Sequence, residues 1–188
     1  MSQPLKVELE KVFRLFADEI LEHPSKLTVT LTPDSRGRGC ELAARPYSYT
    51  DKGKLIGGGA ETHRAMQIVL SAVAYRRGQH CRYLILESQT QVKDDLPPFY
   101  ERDGWQPEPA VRLLAEVCRH LFGADDVTIR AANDFDAGGT RLTVEADVVK
   151  SDATALTEWA LNRLMHAVGN AQGRRLFVTL TSRQPTAA

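Results

Sequence analysis

Long apolar runs are missing from this chain. None approaches the ~20 residues that span a bilayer, and the opening MSQPLKVELEKVF reads as a charged helix start rather than a signal peptide. Cysteine is scarce. Cys40, Cys81 and Cys118 are odd in number, widely spaced and set in apolar contexts, which points to reduced core thiols, a reducing cytoplasm and no disulfide framework. The five histidines, His23, His63, His80, His120 and His166, have no metal-ligand spacing, and none pairs with a nearby cysteine. There is no Gly-Lys-Ser/Thr ending of a P-loop, no dinucleotide fingerprint and no Ser or Cys nucleophile signature. No catalytic residue, metal or cofactor is expected. Net charge is also lacking: 24 Lys and Arg balance 24 Asp and Glu, which argues against a generally sticky polycation.

The charge that is present is uneven. Between Arg36 and Arg82 nine Lys and Arg face only Glu41, Asp51 and Glu61, a local excess of +6 that the rest of the chain offsets. One face for a polyanion is the expectation; solvated charges that scatter on folding would give the same count. Inside this segment Gly57, Gly58 and Gly59 precede a long amphipathic stretch. A glycine loop feeding a helix N-terminus can hold a phosphate on backbone amides.

The chain punctuates itself clearly. Leu5, Leu9, Val12, Phe13, Phe16 and Ile20 recur at helical spacing, and His23-Pro24-Ser25 closes that helix. Leu27 to Leu31 alternates as a strand, Pro33 to Gly39 is a basic turn, and Cys40 to Ala44 is the return strand. Tyr49 to Ile56 forms a short helix ended by the glycines. Glu61 to Arg77 is a helix stopped by Gly78, and Cys81 to Glu87 is a strand. Residues 89–109 are acidic and Pro-rich and read as a linker. Its Phe99, Tyr100 and Trp105 either pack on the protein or stack bases.

The second half repeats the order: helix 110–122, strand 127–131, turn 133–139, strand 141–146, helix 154–168, break 169–173 and strand 176–180. Gly78 meets Gly173, Val73 meets Val168 and Ala65 meets Ala160, each 95 apart, whereas Leu27 meets Val127 and Leu42 meets Leu142 at 100. The second copy has therefore lost five residues between its second strand and its long helix, where the first keeps its short helix and glycine loop. Ser151, Asp152, Ala153 and Thr154 occupy the loop's place and read as a helix N-cap.

The order helix-strand-strand-helix-loop-helix-strand, with Gly53-Lys-Leu-Ile-Gly-Gly-Gly-Ala-Glu-Thr-His-Arg-Ala-Met at its centre, resembles the type II K-homology (KH) domain, in particular that of small bacterial single-KH RNA-binding proteins. The resemblance implies an α+β chain of two KH-like α-β-β-α-α-β units, each a three-stranded sheet with helices on one face. Residues 1–88 would carry the loop, and 110–188 would be a degenerate copy without it. It implies a Gly-x-x-Gly loop that clamps single-stranded RNA backbone. Ile56 matches the apolar position before the loop, Gly57 the first glycine, Gly58 and Gly59 the middle positions, and Ala60 stands where the last glycine belongs. The uncharged loop would draw phosphate through Lys52, Lys54, His63 and Arg64, with Arg76, Arg77 and Arg82 as peripheral contacts. The expected function is a non-enzymatic RNA-binding protein, with single-stranded RNA as partner and no membrane. The rival expectation is a protein-interaction or ribosome-associated module whose KH fold has lost RNA contact. A third, a small hydrolase, would need a concave site with converging titratable groups.

Overall fold

A computed structural model describes residues 3–34, 39–94, 105–123, 127–134, 138–146 and 151–182. The first unit comprises helix α1 (Gln3–Ile20), a 3-10 turn (Pro24–Lys26), strands β1 (Thr28–Pro33) and β2 (Gly39–Arg45), helices α2 (Tyr49–Ile56) and α3 (Glu61–Tyr75), and strand β3 (His80–Ile85). The second comprises α4 (Glu108–Phe122), β4 (Thr128–Asp134), β5 (Gly139–Ala146), α5 (Asp152–Ala171) and β6 (Leu176–Ser182). The chain is thus α+β, two repeated units with one three-stranded sheet each. In each sheet the middle strand runs antiparallel to the first and parallel to the last, in orders β1-β2-β3 and β4-β5-β6.

The repeat extends to single side chains. The buried face of α3, Ala65, Met66, Val69, Leu70, Val73 and Ala74, recurs 95 residues on as Ala160, Leu161, Leu164, Met165, Val168 and Gly169 of α5. Tyr83 N–H donates to Gln67 Oε1 at 2.7 Å, and Val178 N–H donates to Asn162 Oδ1 at 3.0 Å, the same bond at the same offset. At the start of each middle strand stands a glycine where no Cβ fits. One on Gly39 would lie 2.7 Å from His80 O, and one on Gly139 2.5 Å from Arg175 O.

Several boundaries differ from the sequence expectation, three of them with structural consequences. The break expected at 169–173 lies partly inside α5, which runs to Ala171. Gly169 is there because a Cβ would meet Arg174 O at 2.5 Å as the chain turns into β6, so the glycine serves close approach and not helix termination. Within the turn expected over 133–139, β4 continues to Asp134 and β5 begins at Gly139, and residues 135–137 lie outside the described residues. The linker expected over 89–109 is divided. Residues 86–94 form a strap bonded to the first unit, with Leu86, Gln89 and Thr90 amides donating to the carbonyls of Ala44, Pro46 and Tyr47, and Tyr49 N–H to Val92 O. Phe99 and Tyr100 lie outside the described residues. Trp105 packs on the core and its Nε1–H donates to Gln172 Oε1 at 3.2 Å.

One hydrophobic core runs through both units. The helices occupy one side of each sheet, and the strands alternate buried and open positions accordingly, as in Leu42 and Ala44 against Glu41 and Arg45. The units meet reciprocally: α3 lies on α5, while α1 reaches α5 and α4, and α4 reaches α3. Polar pairs rim this seam. Glu8 accepts from His120 Nδ1 at 3.0 Å and pairs with Arg77 at 3.4 Å, Lys11 pairs with Glu116, and Arg163 pairs with Glu61 at 3.3 Å.

Candidate nucleic-acid interface

The glycine loop is held from below by α2. Ser48 caps that helix by accepting from Asp51 N–H at 3.1 Å, and its own hydroxyl donates to Asp94 Oδ2 at 2.6 Å. Asp51 is fully buried and accepts from Glu22 N–H at 2.8 Å, so its carboxylate ties the end of α1 to α2. Asp94 also bonds His23 at 3.1 Å, and its amide donates to Thr50 Oγ1 at 2.8 Å. The Ser48 hydroxyl first, and then His23, hold the Asp94 carboxyl below the ordinary aspartate value. The 86–94 strap thereby fixes the platform from which the loop departs.

Gly57 ends α2 with φ 73° and ψ 168°, a conformation reserved for glycine. Its N–H closes the helix on Gly53 O at 2.8 Å, and its carbonyl accepts from Ala60 N–H at 3.1 Å. A Cβ here would sit 2.8 Å from Thr62 Cβ. Gly58 has open space around it and Gly59 adopts φ 59°. Ala60 follows at φ 62° and ψ 23°, and among the described residues no other non-glycine has positive φ. The sequence placed alanine where the resemblance expects glycine; the backbone there keeps the left-handed shape that glycine favours. Gly58, Gly59 and Ala60 are exposed, Ile56 is half-buried, and Leu55 is buried beneath them.

The cations expected to serve the loop are mostly engaged elsewhere. Lys52 pairs with Glu87 at 2.7 Å and Lys54 with Glu22. His63 stacks on Tyr83 with centroids 5.0 Å apart and bonds Tyr83 O at 3.3 Å. A carbonyl can only accept, so Nε2 carries the proton. Arg64 is exposed and, among the described residues, has no ion-pair partner.

Arg76, Arg77 and Arg82 do not join the loop. The first two follow the far end of α3, ~22 Å away at 1.5 Å per residue. There Arg76 donates to His120 O at 2.6 Å and Arg77 pairs with Glu8. Arg82 lies on the open side of the first sheet, 3.7 Å from Glu41. Of the twelve residues expected to form one site, the structure brings together Ile56 to Ala60, Lys54, His63 and Arg64, with Lys52 one helical turn behind.

Three participants went unnoticed in the sequence. Gln67 Nε2 donates to Cys81 O at 2.7 Å and its Oε1 accepts from Tyr83 N–H, so it seals the outer edge of β3 beside the loop helix. Its 95-residue partner, Asn162, was the available signal. Arg163 of the second unit neutralises Glu61, which opens α3 next to the loop. Asp94 falls in the stretch that reads as a linker, although the Ser48-x-x-Asp51 spacing marks a capped helix that such a strap can brace.

In the second unit α5 begins at Asp152, two residues before the expected start, and of the expected capping stretch 151–154 it is Ser151 whose Oγ accepts from Thr154 N–H at 3.3 Å. By the 95-residue offset, residues 152–155 stand where Gly57 to Ala60 stand, and they form the first turn of one uninterrupted helix. On this unit an open depression of about 400 Å³ is lined by His166, Asn170, Arg175 and Phe177. No helix among the described residues is long and apolar enough to cross a membrane. Among the described residues no group of three or more His, Cys, Asp or Glu could hold a metal ion. No family model and no curated protein matches the chain.

Proposed function

We propose that the chain is a cytoplasmic, non-enzymatic RNA-binding protein of KH type. Its contact with single-stranded RNA is confined to the Gly57–Ala60 loop, the first turn of α3, and Arg64. The observation that carries this reading is the loop itself. It is exposed, it opens a 15-residue helix, and two of its four amides, those of Gly57 and Ala60, are spent on closing its own turns. The amides of Gly58 and Gly59 remain to meet a phosphate, with the helix dipole behind them and Arg64 beside them. The grip is narrow. Lys52 and Lys54 would have to leave Glu87 and Glu22 to take part, so few counterions are released and the salt dependence is shallow.

The test uses Gly58, where a side chain meets nothing. Gly58→Asp should abolish binding to single-stranded RNA in a low-salt titration, and Gly58→Lys should steepen the salt slope by about one counterion. Equal affinity in both variants and the parent would reject the clamp.

A second reading, a protein- or ribosome-docking module, draws support from the pairing of the expected cations and from Gln67 sealing the β3 edge. Under it, partners persist after nuclease treatment and are indifferent to both Gly58 variants.

A further inference from the structure

Two of the three cysteines face each other. Cys40 and Cys81 are directly opposite on the parallel strands β2 and β3, each the second residue of its strand. Both side chains are buried, at 2% and 6% exposure, and each thiol donates to a backbone carbonyl, Cys40 to His80 O at 3.6 Å and Cys81 to Arg82 O at 3.9 Å. Their juxtaposition makes them unequal. The neighbouring Cys81 thiol lowers the pKa of Cys40, while Cys81 is raised by the neighbouring Cys40 and by burial. Cys118 lies apart on α4, where burial pushes its thiol up to about 12. The second unit has no such pair, since Thr140 and Leu176 face each other at the corresponding register.

From this juxtaposition we infer that Cys40 and Cys81 are a reversible oxidation site, closing to an intramolecular disulfide with hydrogen peroxide. Cys40 sulfur attacks one peroxide oxygen, the O–O bond breaks, and Cys40 sulfenic acid and water form. Cys81 sulfur then attacks the Cys40 sulfur, expelling its hydroxyl as a second water with the Cys81 proton. Two thiols are oxidised and one peroxide is reduced. The thiolate is the nucleophile in such reactions, which assigns the first step to Cys40.

The geometry also makes the bond reversible. Neighbouring strands lie ~4.8 Å apart, inside the Cα range of a disulfide but slightly wide for its usual Cβ separation of ~3.8 Å. Closure draws β2 and β3 together, and a strained disulfide is the more readily reduced. The strain would not stop at the strands, because Gln67 and Ser71 of α3 both bond Cys81 O, at 2.7 and 3.2 Å.

The experiment treats the full chain with dilute peroxide, alkylates remaining thiols in denaturant, and digests without reduction. Cys40 and Cys81 should lose alkylation in step and appear in one linked peptide, with Cys118 still alkylated and dithiothreitol restoring both. Cys118→Ser should give the same linked peptide; Cys40→Ser should give none. The inference is overturned if Cys40 advances to sulfinic acid while Cys81 stays alkylated. It is equally overturned if the linkage involves Cys118 or a second chain, or if neither thiol reacts in the Cys118→Ser protein.

Discussion

The two units spend the same sheet and the same helix packing on different ends. Both middle strands open on a glycine that admits no Cβ, and both long helices bury six residues at matched positions. Both also fasten an edge strand with an amide side chain, Gln67 or Asn162. They part at one place. The second unit runs a 20-residue helix straight through the stretch where the first stops α2, turns three residues and begins again. What is shared is what holds the fold; what differs is exposed, glycine-rich and strained at Ala60.

That comparison can be broken by substitution. The largest effect is expected at Gly57→Ala, where a glycine-only conformation and the Thr62 side chain oppose a Cβ together. A loss of about 3 kcal/mol in urea unfolding is expected. Alanine at Asp152, its counterpart in the first turn of α5, should cost little. Gly39→Ala and Gly139→Ala should each cost about 2 kcal/mol, because the backbone carbonyls they meet cannot yield. Unequal losses would undo the claim that the sheets are equivalent.

Next come Gln67→Ala and Asn162→Ala, each of which strands an edge N–H, at Tyr83 and at Val178. About 1–2 kcal/mol apiece is expected by thermal unfolding. Ala60→Gly works in the other direction. Relieving a left-handed alanine should raise stability by about 1 kcal/mol, read as a higher urea midpoint at unchanged slope. The smallest effect concerns pH. Asp94 is held below the ordinary aspartate value, so its stabilisation is complete above that value and is lost as pH falls through the lowered one. Amide protection at Thr90 and Asp94 should therefore fade on acidification, and Asp94→Asn should show the faded protection already at neutral pH.

Much of the fold was legible because it is periodic. The apolar stripe from Leu5 to Ile20, Leu31 in the threonine-alternating β1 and the 95-residue echo of Ala65 and Val73 all place buried residues correctly. Glycines misled in one case, since Gly169 reads as a stop and acts as a space. The loop was legible as a loop, but its electrostatics were not. Lys52 and Lys54 are neutralised by Glu87 and Glu22, residues 35 and 32 positions away. A local charge count cannot see partners that only the strap and the end of α1 deliver. Arg76 and Arg77 were adjacent to the loop helix in sequence and at its opposite end in space. Cys40 and Cys81 looked like unrelated core residues until the register of two parallel strands set them face to face.

The reciprocal seam has a consequence for valency. Two separate chains meeting helix to helix in this way would present two loops and would come apart on dilution. Here the meeting surfaces belong to one polypeptide, so the pairing is independent of concentration and the described residues show a single such loop. Under the proposed reading, a ligand gripped at Gly57 to Ala60 would gain no avidity from the second unit, and its residence time would be that of one contact.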